Sequence, residues 1–351
     1  MSADTFAACT VLDLGARGSY AGAKFHLAGR TCVKSARGGL WNEWVVAFTD
    51  GRRAFLAEAM NGLTLFTEGP VAPPFASLAI GAPLDTGFVV VERGEAKRVA
   101  TWGDAPAAPK TYRYADLSAR DGRSATIDYG AGEPAVFVGV RVTLADLGLS
   151  PRKGRVSFLP VKNAPRPKGL ETWLDVGDEG TLGSSHGGGT FRVIGIVQRS
   201  IRIDGERYTW EEYVLHSPAD GIRWLVVSDG HWNLVHTIDA GLVEETPETR
   251  ATFRGEKHRF YSGGRAKVEW ATGELPWEIA IGDTSEVADY VSAPHVLSRE
   301  SSADEVTWSY GRYVEPGAVA KAFEKRVLPK PSGRAPNQPP TSKPRPSGDK
   351  R

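Results

Sequence analysis

Short stretches with two-residue periodicity, separated by turns that contain glycine, run through most of this chain. In residues 42–49, Trp44 and Val46 fall on one side of a predicted strand, and Glu43 and Val45 fall on the other. Apolar side chains therefore occur on both faces. A strand of this kind is expected to be covered on both sides, as in a barrel or a sandwich.

The first part of the chain predicts a small antiparallel β domain. Runs of aromatic and β-branched residues alternate with turn signals such as Asp50-Gly51 and Asn61-Gly62. Helix is expected only as a short turn at 144–149 and as a final helix at 315–323, with Pro316 near its first position. The predicted strands cover residues 23–28, 42–49, 53–58 and 63–66, and more strands are expected within 87–102, 111–129 and 135–142.

The second half of the chain repeats the first. Residues 41–65 match residues 210–234 without a gap. The matched residues are Trp41, Glu43, Trp44, Phe55, Leu56 and Leu65 with Trp210, Glu212, Tyr213, Trp224, Leu225 and Leu234. Further on, residues 126–130 (Thr-Ile-Asp-Tyr-Gly) resemble residues 307–311 (Thr-Trp-Ser-Tyr-Gly). We therefore predict a mainly β protein of two homologous antiparallel β-barrel or sandwich domains.

The repeat and the composition together predict the domain organisation. The first copy is expected at 12–149 and the second at 173–326. Residues 150–172, rich in Pro and in basic residues, are predicted to be a linker. Residues 327–351 are rich in Pro and basic residues but hold almost no apolar ones, which predicts a disordered tail.

The formal net charge of +1 hides an uneven distribution. From residue 324 onward there are eight Lys or Arg and two acids, which leaves residues 1–323 with a net charge of about −5. A negatively charged body argues against a general nucleic-acid binder. The basic residues of 325–351 instead predict contact with an anionic membrane surface.

Cysteine usage and the absence of targeting signals restrict the class of protein and its expected cellular location. Cys9 and Cys32 are the two cysteines, and no C-x-x-C spacing occurs, which excludes a disulfide framework and a zinc ribbon. The first residues show neither the basic nor the apolar segment of a signal peptide. No apolar run approaches the ~20 residues that a membrane-spanning helix needs. The expected location is the cytoplasm, with peripheral contact at the inner membrane through the tail.

Several motifs of the second copy resemble one known family. They are Trp-Glu-Glu-Tyr-Val-Leu at 210–215, Gly-His-Trp at 230–232, Gly-Glu-Leu-Pro-Trp at 273–277 and Thr-Trp-Ser-Tyr-Gly at 307–311. On these motifs residues 12–325 resemble DUF4178, an uncharacterised bacterial family in which tandem copies are common. The resemblance implies a duplicated fold and the company of membrane-stress and polyamine-related gene clusters, and it implies no activity. The zinc-ribbon segments that precede each copy in many members have no counterpart in this sequence.

Glu43 and Glu212 hold matching places in the two copies, each two residues after a Trp and therefore on the same strand face. A carboxylate beside an indole can have a raised pKa and act as a general acid or base. The alternative is a structural carboxylate that is hydrogen-bonded across the sheet. His216 and His231 lie near Glu212 in sequence, so these three are the candidate catalytic residues. Surface or capping histidines are the alternative.

Ten tryptophans raise the question of a binding groove. Trp41, Trp210, Trp224 and Trp232 are the candidate binding residues for a peptide or a sugar, with burial in the core as the alternative. The glycine-rich stretch 183–189 can present backbone amides to an anion, or it can simply connect two strands.

These features favour a non-catalytic binding or scaffold module that has a protein partner in a membrane-stress or polyamine-related complex. The alternative is an enzyme, hydrolase-like or metal-assisted, that uses Glu212, His216 and His231. Binding is favoured because features shared by two copies are more often structural than catalytic. No cofactor, no metal site and no specific nucleic-acid partner is predicted.

Overall fold

The fold is given by a computed structural model that describes residues 6–69, 72–106, 110–130, 133–162, 164–183 and 188–340. The protein is mainly β and contains two closed antiparallel barrels of eight strands each. Among the described residues, no helix is long and apolar enough to cross a membrane. The prediction of two β-barrel or sandwich domains is confirmed, and both domains are barrels.

The first barrel is built from the first nine strands of the chain. They are β1 (Arg17–Tyr20), β2 (Ala23–Ser35), β3 (Leu40–Phe48), β4 (Arg53–Ala59), β5 (Gly62–Glu68), β6 (Phe88–Gly103), β7 (Thr111–Ala119), β8 (Arg123–Tyr129) and β9 (Ala135–Val142). Their order in the sheet is β1-β2-β3-β4-β5-β9-β8-β7-β6, and β6 also pairs with β2. This last pairing closes a ring of eight strands. The strands predicted at 23–28, 42–49, 53–58 and 63–66 correspond to β2 to β5.

The rest of the described chain forms twelve strands and one α-helix, together with a 3-10 turn at Ala240–Leu242. They are β10 (Leu159–Pro160), β11 (Glu179–Leu182), β12 (Gly189–Ile203), β13 (Glu206–Ser217), β14 (Gly221–Ser228), β15 (His231–Ile238), β16 (Val243–Thr246), β17 (Arg250–Phe253), β18 (Glu256–Leu275), β19 (Thr284–Ser292), β20 (His295–Ser301), β21 (Val306–Val314) and α1 (Pro316–Ala322). The sheet order is β11-β12-β13-β14-β15-β21-β20-β19-β18-β17-β16, and β18 also pairs with β12 to close the second ring. The helix α1 confirms the one predicted at 315–323.

The two barrels share their topology. Strands β2 to β5 take the places of β12 to β15, and β6 to β9 take the places of β18 to β21. Even an irregularity is repeated, because the ladder between the first two ring strands shifts next to Gly29 in one barrel and next to Gly195 in the other. A Cβ at Gly29 would lie 2.4 Å from the backbone nitrogen of Ala105. The hairpin β16–β17 belongs to the second barrel and has no counterpart among the described residues of the first.

The sequence match between residues 126–130 and residues 307–311 does not join equivalent positions of the two barrels. Residues 126–130 lie at the end of β8, whereas residues 307–311 lie in β21, which occupies the place of β9. Strand register equates Thr126 with Ser298 of β20 instead. The two segments share an alternation of polar and large apolar residues, and so short a pattern does not distinguish neighbouring strands.

The main apolar cores cover the outer faces of the barrels. In the first barrel, Leu27, Val46 and Leu56 are fully buried in a cluster that also takes in residues from the flanking segments. In the second, the corresponding cluster includes residues of α1. The opposite face is the interior, because Glu43 of β3 is hydrogen-bonded to Tyr112 of β7, three strands away around the ring.

The described part of residues 150–172, the predicted linker, packs against both barrels. Leu159 of β10 is buried with Cys9 and Cys32 of the first copy, while Val161 packs against the second. The β10 strand also pairs with the end of β18. The boundaries at 12–149, 150–172 and 173–326, and the independent folding of each copy, stay predictions.

The prediction of a disordered tail is corrected for residues 327–340, which lie along the second barrel. Asn337 is buried, and its side-chain amide donates to Asn233 Oδ1 at 2.7 Å and to the carbonyl oxygen of Pro294 at 3.3 Å. Contacts of this kind can hold a Pro-rich segment in place without regular structure, and composition does not reveal them. The rest of the predicted tail, residues 341–351, lies outside the described residues.

Candidate functional site

The interior of the first barrel holds ionisable and aromatic side chains around Glu43. The carboxylate of Glu43 accepts hydrogen bonds from Trp41 Nε1 at 3.2 Å and from the hydroxyl of Tyr112 at 3.1 Å. The guanidinium of Arg98 lies 3.8 Å from the centre of the Tyr112 ring and pairs with Asp128 at 2.7 Å. Burial raises the pKa of Glu43, although Arg98 acts in the opposite direction.

The second barrel builds a similar cluster around Glu212. Its carboxylate accepts a hydrogen bond from Trp210 Nε1 at 2.8 Å and lies 3.3 Å from Nε of Arg199. Arg199 also pairs with Glu300 of β20 at 2.9 Å, and this contact crosses the interior. Burial raises the pKa of Glu212. Burial lowers the pKa of Arg199, but Glu212 and Glu300 together raise it above its usual value.

Strand register shows how the two clusters correspond. The matched acids are Glu43 with Glu212 and Asp128 with Glu300. The arginines do not match. In the first barrel Arg98 of β6 is paired with Val33 of β2, whereas in the second Arg199 of β12 is paired with Val268 of β18. The positive charge has thus moved to the neighbouring strand, and the two barrels keep it in nearly the same place in space.

Three carboxylates meet where the first interior reaches the second barrel. Glu92 of β6 and Glu305 of the β20–β21 turn form an isolated bridge, and Asp116 of β7 lies beside them. Burial, and next the charges of Glu305 and Asp116, raise the pKa of Glu92 to about 8. Burial raises the pKa of Asp116 to about 6, and it also raises the pKa of Glu305. The hydroxyl of Tyr114 donates a hydrogen bond to Glu92.

The positive charge near this group comes from Arg37, which lowers the pKa of Glu92 and of Glu305 only in part. Arg37 already pairs with Asp304 of the same turn at 3.4 Å. The three carboxylates therefore carry an excess of negative charge when they ionise. We call Glu92, Asp116 and Glu305 the acidic group.

The side chains of the first interior keep exposed surface, in contrast to the outer faces. Trp41, Glu43, Asp116 and Asp128 are all half-buried although they lie inside a closed ring. Barrels of eight strands have room inside for side chains or for one small ligand. Both interiors also hold a buried apolar cluster, with Val33, Ala96 and Tyr114 in the first and Val197, Val214 and Val268 in the second. We take the first interior as the candidate binding site because its acidic group lacks the close arginine pairing that Arg199 gives to Glu212 and Glu300.

The acidic group predicts that the protein loses stability as the pH rises. A carboxyl with a raised pKa holds its proton more tightly in the folded state, so its stabilising effect is complete below the unfolded pKa and is lost up to the folded pKa. For Glu92 this window runs from 4.5 to about 8. The free energy of unfolding should fall by up to about 1.4 kcal/mol per pH unit within it.

Denaturant unfolding between about pH 5 and about pH 8 measures this slope. Glu92→Gln should flatten it, whereas Glu68→Gln, at an exposed acid of the same barrel, should leave it unchanged. An unaltered slope in Glu92→Gln would contradict the assignment of the raised pKa.

The four candidate binding tryptophans lie in different environments. Trp41 and Trp210 line the two interiors and donate to the neighbouring carboxylates. Trp224 is half-buried, with its ring centre 6.2 Å from that of Trp277. Trp232 is fully buried in the outer core. The assignment of these four tryptophans to ligand binding stays a prediction.

The structure does not bring the three candidate catalytic residues together. Glu212 and His216 stand four positions apart on β13, a separation of about 13 Å along a strand. His216 packs edge-on to Phe158 at 5.1 Å, and burial lowers its pKa to about 4. His231 has a partner elsewhere, the hydroxyl of Tyr313, which lies 3.0 Å from its Nδ1.

Sequence reasoning missed the residues that complete the interior clusters. They are Glu92, Arg98, Asp116, Asp128, Arg199, Asp289, Glu300 and Glu305, and most of them lie on the later ring strands, where the two copies differ most. A usable signal was a charged residue at an inward position of a predicted strand, where burial is costly unless the charge is paired. Residues 184–187 of the glycine-rich stretch 183–189 lie outside the described residues.

Comparisons with known proteins identify a family for one part of this chain. A search of curated proteins gives no match. A crystal structure of a protein with unknown function from the DUF3598 family of Nostoc punctiforme aligns with 89% of this chain and 98% of that chain, at 9% identity and a TM-score of 0.12. A TM-score this low does not indicate a shared fold. Residues 176–316 match the family described as a domain of unknown function (DUF4178). The match spans β11 to the start of α1, so the second barrel of this chain belongs to the DUF4178 family.

Proposed function

We propose that the protein is a non-catalytic binding module whose ligand is a small organic cation with protonated amines, held at the acidic group of the first barrel. The observation that carries this proposal is the crowding of Glu92, Asp116 and Glu305, whose pKa values are raised by burial and next by the charges of neighbouring carboxylates. A cation placed among them favours their ionised forms. Binding should therefore become tighter as the carboxyls lose their protons.

Aromatic rings next to the acidic group favour an amine over a bare metal ion. Tyr114, which donates to Glu92, lies beside Trp41, with ring centres 5.4 Å apart. Ammonium groups are attracted to the faces of such rings as well as to carboxylates. The apolar faces of these rings also give an aliphatic chain a surface to lie against.

The arrangement of the second barrel supports binding over catalysis. Nucleophilic or acid–base catalysis needs its groups within hydrogen-bond reach of one another. Glu212 is instead paired with Arg199, and His216 and His231 are held by other partners. The predicted protein partner stays a proposal. The contact of residues 325–351 with an anionic membrane also stays a proposal. Within this segment, residues 327–340 pack on the second barrel.

Isothermal titration with spermidine, used as the amine probe, tests the proposal. Because Glu92 has a pKa of about 8, binding near neutral pH should release protons, so the measured heat should depend on the ionisation enthalpy of the buffer. Glu92→Gln and Glu305→Gln should each weaken binding by about tenfold or more, the usual cost of a lost bond to a charged group. Glu68→Gln serves as the control at an exposed acid.

Two results would contradict this function. One is binding of spermidine that Glu92→Gln and Glu305→Gln leave unchanged. The other is equal binding of Mg²⁺ at the acidic group, which would assign the site to a divalent cation and not to an amine.

A further inference from the structure

A second cluster of ionisable residues lies on the outer face of the second barrel, beside the hairpin β16–β17. Glu256 and His258 stand two positions apart at the start of β18, so their side chains share a face. His295 begins β20. One ligand atom from each of the three lies within 4.8 Å of the others. None of the three belongs to the interior clusters.

His258 is fully buried, and one of its ring nitrogens has no partner. Its Nδ1 lies 3.2 Å from the backbone carbonyl oxygen of Glu256, which can only accept, so Nδ1 carries the proton of the neutral ring. Nε2 then presents a lone pair, and it has no hydrogen-bond partner among the described residues.

This lone pair faces a carboxylate. Nε2 of His258 lies 4.0 Å from Oε1 of Glu256, too far for a hydrogen bond. Two electron-rich groups that face each other at a buried position call for a cation between them.

His295 supplies a third ligand at a suitable spacing. In the metal-free protein its Nδ1 donates a hydrogen bond to Oε2 of Glu256 at 3.1 Å, and to bind an ion the neutral ring must carry its proton on Nε2 instead. In a tetrahedral zinc site, with metal–ligand distances of about 2.0–2.1 Å, neighbouring ligand atoms are about 3.3 Å apart. The pair Glu256–His295 is close to this spacing, and His258, whose ligand atom lies within 4.8 Å of the other two, moves closer when an ion binds. The side chains of His295 and Glu256 are 22% and 37% exposed, which gives an ion a route from solvent.

The first barrel has no such cluster at the corresponding positions. Strand register places Phe88 where the second barrel has His258, and Arg123 where it has His295. There the Arg123 guanidinium lies 5.5 Å from the centre of the Phe88 ring. The histidines are therefore not required by the fold. Beside them the ring of Tyr310, 5.0 Å from His295 and 6.3 Å from His258, limits their movement.

We propose that Glu256, His258 and His295 bind a divalent transition-metal ion, Zn²⁺ in the first instance, with one coordination position open to solvent. Two histidines and a carboxylate are a ligand set that zinc accepts together with a water molecule. The bound ion ties the start of β18 to the start of β20, two strands that are separated by β19 in the sheet. This site is separate from the acidic group and does not depend on the proposed amine ligand.

Competition with a chromophoric chelator measures the affinity for Zn²⁺ directly. The full chain, free of any affinity tag and stripped of metal, is titrated with zinc chloride alone. We expect one equivalent to bind with a dissociation constant of about 1 μM or tighter, by analogy with sites of three protein ligands. Titration with Co²⁺ gives a second readout, because its visible absorption reports nitrogen and oxygen ligands in a site of low coordination number.

Matched variants decide whether these residues are the ligands. His258→Phe copies the residue of the first barrel, and His295→Gln removes the second nitrogen. Each should weaken binding of Zn²⁺ by more than the ~10–100-fold typical of residues that only support a ligand. His231→Gln, at a buried histidine outside the cluster, should retain full affinity.

Circular dichroism and the midpoint of thermal unfolding verify that each variant is folded. If His258→Phe does not fold, Glu256→Gln replaces it, because that side chain is partly exposed. The proposal is overturned if the unaltered protein binds no Zn²⁺, or if folded ligand variants bind it with undiminished affinity.

Discussion

Arg199→Val should lower the free energy of unfolding by about 3 kcal/mol, because it leaves Glu212 inside the second barrel without its cation. Breaking a buried ion pair by removing one partner costs about 3–5 kcal/mol. The lower end applies here, since the second partner, Glu300, keeps 44% of its side chain exposed. Equilibrium unfolding in urea, monitored by tryptophan fluorescence, gives the difference.

The first barrel suggests how to restore this loss. There the arginine is Arg98 of β6 and the residue paired with it is Val33, the reverse of Arg199 and Val268. The double variant Arg199→Val with Val268→Arg should therefore recover most of the lost stability. Val268→Arg alone should destabilise the protein, because it places a second guanidinium beside the first. A double variant no more stable than Arg199→Val would show that the two positions are not interchangeable.

Trp232→Ala should have an effect of equal or larger size. The side chain is fully buried, and its ring stacks on Tyr213 with centres 5.7 Å apart. Truncating a buried Trp to Ala typically costs about 3–5 kcal/mol through lost contacts and the cavity that remains. The midpoint of thermal unfolding should fall by several degrees, and calorimetry measures it.

Two further variants distinguish burial from hydrogen bonding in this comparison. Trp210→Ala should cost less than Trp232→Ala, since Trp210 is only half-buried. Trp232→Phe should cost far less than the alanine variant, because the indole nitrogen of Trp232 has no hydrogen-bond partner among the described residues and no bond is lost. A loss in Trp210→Ala that equals or exceeds that of Trp232→Ala would contradict this ranking.

Local patterns in the sequence were enough to predict the strands and the duplication. β2 to β5 are marked by alternation, and the turns between them by Asp50-Gly51 and Asn61-Gly62, because both signals depend on neighbouring residues only. Closure of the ring was not predictable in the same way. It rests on pairing between β2 and β6, which lie far apart in the chain. Neither strand contains a local sequence pattern that identifies the other as its partner.

The candidate site was predictable only in its repeated half. Glu43 and Glu212 stand two residues after a tryptophan, and this spacing alone placed each beside an indole donor. Their arginine partners were not found, because Arg98 and Arg199 lie on strands that do not correspond. When the two copies are aligned, each of these arginines falls opposite a valine. Similarly, the tail was assigned from composition, whereas Asn337 is held by contacts with the second barrel.

The placement of the apolar cores on the outer faces has a consequence for how such a protein changes over generations. Most of the buried apolar area holds the barrel wall to the segments outside it, so half-buried inner positions outside the arginine clusters can vary at little cost in folding. Within one chain, strand register places the polar Thr31 in the first interior where the second has Val197. A duplicated barrel whose outer face stabilises the fold and whose inner positions can vary is able to acquire a new binding specificity in one copy while the other copy keeps the old one.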